Sequence, residues 1–207
     1  MYMRKIKSRA AAGLFLAVLM CLAAADKPKL VKIKVNNELT IAVPKEWIPM
    51  DEMDFTQRYP SVRAPLAAYT NEERTVDFSV NISATQWPDA DLELSQKFFK
   101  SSLYNMFDKV DLIAEGIHEV NKKKFIFFEF ESRVNGNKKE VSQKDAVLQY
   151  TYIQYLVEPS RTLVFSFNCP RRLREDWQDT AHEMMKRVTV KSESVQQSKS
   201  SPKSFSK

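Results

Sequence analysis

At 207 residues, with 43% hydrophobic and 28% charged side chains, the chain is too apolar to be a disordered segment and long enough to bury a core. Its formal charge of +6 resides at the two ends, because residues 26–190 carry 24 Lys and Arg against 25 Asp and Glu. That balance excludes the basic stripe with which a nucleic-acid binder neutralises phosphates, and the glycine count of 3 excludes a phosphate-cradling loop.

Arg4, Lys5, Lys7 and Arg9 precede an apolar run over residues 10–25 that ends in Ala23-x-Ala25. A charged start, a short apolar centre and small residues at the end predict a secretory signal peptide over 1–25, cleaved between Ala25 and Asp26. The run is too short for a typical membrane span, and no other stretch suggests a transmembrane helix in the mature chain. Cys21 leaves a second processing route open, lipidation to a membrane-anchored lipoprotein, although the bulky Met20 before it suits that route poorly. Either way the expected location is outside the cytoplasm, periplasmic or secreted. Cys169 is then alone in the mature chain, so no intramolecular disulfide is available.

Residues 26–191 read as one domain. Val31, Ile33 and Val35 alternate with lysines, Asn36-Asn37 gives a turn, and Leu39, Ile41 and Val43 follow, which predicts a hairpin over 30–43. Residues 48–65, with Pro49, Pro60 and Pro65, read as an irregular surface crossing. A second hairpin is expected from 66–69 and 76–83 around Asn71-Glu72-Glu73, its second strand alternating Val76, Phe78, Val80 and Ile82 with polar residues.

The period changes after Trp87-Pro88-Asp89. Leu92, Phe99, Leu103, Met106 and Val110 share one helical stripe, which predicts a helix over about 91–109. Strands are expected over 112–120 and 124–134 about the Asn121-Lys122-Lys123 turn, and Phe125-Ile126-Phe127-Phe128 is apolar on both alternating faces, as a central strand covered on both sides should be. Two more strands, 147–157 and 161–168, meet at Pro159-Ser160. Leu173, Trp177, Ala181, Met184 and Val188 define a second amphipathic helix after Pro170, and the Ser-, Lys- and Gln-rich stretch over 192–207 reads as a disordered tail. Short links require antiparallel pairing and a doubly apolar strand requires cover on both faces. The expected fold is therefore an α/β/α sandwich, an α+β type with a mostly antiparallel central sheet flanked by two main helices.

No catalytic, cofactor-binding or metal-binding constellation is legible. His118 and His182 lack metal-ligand spacing and read as boundary histidines, while Cys169 reads as a small buried hydrophobe at a strand end. Met184 and Met185 beside His182 have the residue types of a soft-metal site, but they also complete the apolar stripe of the last helix. Tyr150, Tyr152, Tyr155, Phe165 and Phe167 form an aromatic sheet surface, read as core beneath a helix or as shelter for an apolar ligand. Arg171, Arg172 and Arg174 gather at the start of a helix, where positive charge opposes the helix dipole. They read either as a solvated turn balanced by Glu175 and Asp176 or as a patch for an anionic partner.

Val43-Pro44-Lys45-Glu46-Trp47, the Glu129-Phe130-Glu131-Ser132-Arg133 strand, the strand over 150–155, Phe165-Ser166-Phe167-Asn168-Cys169-Pro170 and the Trp177 helix come in an order that resembles the PsbP-like superfamily. That group includes an extrinsic photosystem II subunit, a Ran-binding import factor and many bacterial envelope proteins. The resemblance spans residues 30–191 and implies the same α/β/α sandwich, no shared catalytic residues, no cofactor, and a binding or assembly role. The leader is not a transit peptide, which argues against photosynthesis. The expectation is thus an exported, non-catalytic envelope protein that docks onto another protein or complex. A carrier of a small apolar ligand is the alternative, and a thiol enzyme or hydrolase a third reading.

Overall fold

The computed structural model describes residues 28–58, 64–84, 91–135 and 146–191. The expected leader with Ala25 and Asp26, the lipidation candidate Cys21 and the tail over 192–207 lie outside them.

The first hairpin forms as its alternation requires. Strand β1 (Leu30–Lys34) pairs antiparallel with β2 (Leu39–Pro44), and the Asn36 side chain fastens the turn by accepting from the amides of Glu38 and Leu39. The crossing that follows is more ordered than its prolines suggested. It contains a two-residue strand, β3 (Ile48–Pro49), and a short helix, α1 (Glu52–Arg58). Asp51 and Asp54 accept from each other's backbone amides, a local capping exchange that starts α1, and Arg74 bridges both carboxylates.

Strands β4 (Ala67–Thr70) and β5 (Asp77–Ile82) make the second hairpin. Helix α2 (Leu92–Met106) follows, capped by Asp91, whose carboxylate accepts from the amides of Glu93 and Leu94. It is shorter than its apolar stripe implied, because Phe107 is already extended and Val110 belongs to β6 (Lys109–Val120). Strands β7 (Lys123–Val134), β8 (Val147–Glu158) and β9 (Arg161–Pro170) continue the meander. A single 3₁₀ turn (Arg171–Leu173) leads into α3 (Arg174–Lys186), and the final strand β10 (Thr189–Val190) adds to β2.

Two sheets result. The larger has the order β3-β4-β5-β9-β8-β7-β6, every pair antiparallel; the smaller is β1-β2-β10. Residues of alternate parity on β7, β8 and β9 feed two cores. On one face Phe125, Tyr150, Tyr152, Phe165 and Phe167 pack with Val43 of the small sheet, Trp47 of the turn that follows β2, and Ala181 and Met184 of α3; on the other, Ile126, Phe128, Phe130 and Tyr155 pack under Phe99 and Leu103 of α2. The Phe99 and Tyr155 rings stack at 4.1 Å. The sandwich is α/β/α in outline, but one outer layer is α3 together with the small sheet, a layer that periodicity alone did not reveal. Strand β7 is covered on both faces as expected, yet it is next to the edge and not central, and the middle of the sheet is β9. No helix among the described residues is long and apolar enough to cross a membrane.

Candidate functional site

Glu129 and Glu131 are two residues apart on β7, so both side chains rise from the face covered by α3. Glu129 is 3% exposed. A carboxylate so buried is stable only with partners, and it has three. Tyr150 Oη donates to Oε1 at 2.7 Å, Gln178 Nε2 donates to the same oxygen at 2.6 Å, and His182 Nε2 lies 3.1 Å from Oε2 in an ion-pair approach. Burial raises the Glu129 carboxyl, but His182, Tyr150 and Gln178 outweigh it and hold the group below the ordinary glutamate value. The same contact works the other way on Tyr150, whose phenol is pushed far up by burial and by the Glu129 charge.

Glu131 faces the start of α3. Arg171 Nε reaches its Oε2 at 2.7 Å and Arg174 Nη1 its Oε1 at 3.0 Å, so each oxygen is held by a different guanidinium. Arg174 also donates from Nε to Gln178 Oε1 at 3.2 Å, and its guanidinium sits 5.8 Å from the Tyr150 ring centre. Gln178 therefore links the buried carboxylate to the surface one. Between these groups opens a cleft of about 850 Å³, walled by Glu131, Leu148, Pro170, the three arginines, Glu175 and Gln178. Leu148 is 42% exposed there, and Arg172 is exposed without an ion pair among the described residues.

The structure thus assembles Arg171, Arg172 and Arg174 into one cleft, but the counter-ion of Arg171 and Arg174 is Glu131 from β7, not Glu175 and Asp176 of α3. The sequence could not name it, because only the register of β7 brings residue 131 beneath residues 171 and 174. His182 is also more than a boundary histidine, since it meets Glu129 and lies edge-on to Tyr152 at 5.0 Å.

Other candidates do not join this site. Cys169 is 1% exposed, and burial, with the Asp77 and Asp176 charges adding, pushes its thiol up to about 12, the reverse of an activated nucleophile. Met184 and Met185 are fully buried in the core, and among the described residues no three His, Cys, Asp or Glu side chains are grouped as metal ligands. Tyr150, Phe165 and Phe167 are fully buried; Trp47 and Trp177 pack on the Phe167 ring, Tyr150 meets Phe167 edge-on, and Phe165 meets Phe125 edge-on. His118 stacks on Phe127 at 4.7 Å and shares a hydrogen bond with Gln154; burial draws its pKa down against that bond. It lines a second cleft with Asp91, Glu93, Ile117, Glu119 and Lys124, at the opposite charge balance to the first.

This arrangement of sheet, helices and small sheet is found in known proteins. The chain superposes on cyanobacterial PsbP (CyanoP) from Synechocystis with a TM-score of 0.54 at 12% identity, covering 82% of this chain and 96% of that one. It superposes on LpqN of Mycobacterium tuberculosis, described as involved in cell envelope biogenesis, with a TM-score of 0.52 at 12% identity, covering 79% and 91%. A further match, the Ran-binding protein Mog1p of Saccharomyces cerevisiae, has a TM-score of 0.49 at 13% identity. No protein-family model matches the sequence, and no curated protein matches it. The chain has the PsbP-like fold, as the resemblance of its motifs implied.

Proposed function

We propose that this is an exported, non-catalytic docking module of the cell envelope, which engages another protein through the arginine cleft at the start of α3. The observation that carries the reading is the cleft itself, a recess with an exposed Arg172 that has no ion pair among the described residues, two further arginines and the exposed apolar Leu148 on its wall. Charged and apolar groups side by side suit protein recognition. The buried, upshifted Cys169 and a Glu129 already committed to three neighbours give a reaction nothing to use. The envelope assignment draws on the basic-then-apolar start of the sequence and on the likeness to LpqN. The filled aromatic face gives the carrier reading no support.

A photo-crosslinking residue at position 172 tests the docking reading in cells, with one at the exposed Lys97 of α2 as the control on the opposite face. One reproducible adduct from position 172, lost in an Arg171→Glu, Arg174→Glu background, is expected. Equal labelling from both positions sinks the idea. Intact mass of the purified protein checks export: a chain beginning at Asp26 is expected, and an acylated Cys21 would replace simple secretion with membrane anchoring.

A further inference from the structure

Glu131 reports what the cleft accepts. A carboxylate already lies between Arg171 and Arg174, with its two oxygens divided between them at 2.7 and 3.0 Å. Yet the pair is not locked in the core. Arg171 is 55% exposed, Arg174 31% and Glu131 15%, and ion pairs at such exposure are weak enough to exchange with an external competitor. Exchange of one carboxylate for another conserves the charge-assisted hydrogen bonds, and Glu131 borders open cleft volume into which it is hydrated on release. Arg172 remains over, with no partner of its own among the described residues.

Resting on the docking reading above, we infer that Glu131 is a resident counter-ion, and that the partner is an acidic peptide segment whose carboxylate replaces it between Arg171 and Arg174 while a second acidic group meets Arg172. Glu131 then acts as an internal competitor that lowers affinity and restricts the cleft to segments bearing more than one negative charge. A flat anionic membrane fits less well. The arginines line a recess and not a raised patch, and Glu131 and Glu175 on its walls repel a sheet of headgroups that cannot bend in to reach Arg174.

The test measures fluorescence anisotropy of a labelled hexapeptide of alternating Glu and Leu, and of its Gln counterpart, titrated with the full mature protein at low salt. Glu131→Gln keeps the side-chain shape and removes the competing charge, so it should bind the acidic peptide roughly tenfold more tightly than the unaltered protein, with a steeper salt dependence. Arg171→Gln with Arg174→Gln should abolish binding, Arg172→Gln should weaken it and flatten the salt dependence, and the Gln peptide should not bind. Loss of binding in the arginine variants without any gain in Glu131→Gln overturns the exchange and leaves the docking reading standing. No binding by the unaltered protein or by Glu131→Gln overturns both. Vesicles containing phosphatidylglycerol that bind Glu131→Gln more tightly than the peptide does overturn the choice of an acidic peptide.

Discussion

Glu129 occupies a position where removal is costly in one direction only. Truncation to Ala leaves the Tyr150 hydroxyl and the Gln178 amide without their buried acceptor, and about 2–3 kcal/mol of stability should go with it, read from the denaturant midpoint. Glu129→Gln retains an acceptor and should cost less. The two variants also separate in acid. A carboxyl held below its unfolded value contributes stability that is fully present above the unfolded pKa and is lost as the pH falls through the folded one, so as the pH falls below the ordinary glutamate value of 4.5 the unaltered protein should lose stability more steeply than Glu129→Gln. Equal slopes would mean that His182 and its neighbours do not hold the group down. Cys169 makes a second residue-scale expectation. With its thiol 1% exposed and pushed up to about 12, it should resist iodoacetamide in the native protein at neutral pH and react once denaturant opens the sheet. Rapid native alkylation would put the thiol elsewhere.

Among the elements, α2 depends on a cap and a small anchored stripe. Only Ser95, Phe99 and Leu103 are buried along its length, so the Phe99–Tyr155 stack carries much of its attachment to the sheet. Phe99→Ala should cost about 3–4 kcal/mol, and Asp91→Ala, which frees the amides of Glu93 and Leu94, about 1 kcal/mol. Thermal or denaturant melts that rank these two the other way would contradict the packing described. The helix also shows how far residue patterns reach. Leu92, Phe99 and Leu103 gave its face correctly, since a period of 3.6 is a property of the segment alone. Its end is not set by that period, because Val110 continues the helical stripe by spacing while its backbone pairs with Ser132 of β7. The same division runs through the chain. Hairpins and amphipathic faces were legible, because each is decided within a dozen residues. The β10 strand, the separate small sheet and the seating of Glu131 under Arg171 and Arg174 were not, because each depends on residues far apart in sequence and on a register that no local pattern specifies. The arginine cluster was visible as a cluster; its counter-ion needed the fold.

At the scale of the whole molecule, the two sheets are tied by the last residues described. Strand β10 pairs with β2, Val188 and Val190 are buried in the shared core, and Asn121 from the β6–β7 turn donates to the Val188 carbonyl at 2.6 Å. A chain stopped after Lys186 loses all three contacts while keeping both main helices. It should lack a sharp cooperative transition by circular dichroism, whereas a chain stopped after Lys191 should retain one; similar melts for the two would show that the small sheet is dispensable.

The pairing of Leu39 with Val190 also orders events in time. A polypeptide made from its N-terminus presents its first hairpin long before the strand that seals it exists, and β5 must likewise await β9. The nascent chain therefore keeps an unfinished edge on the small sheet until Thr189 and Val190 have emerged, so closure of both sheets waits on contacts distant in sequence and comes late in synthesis.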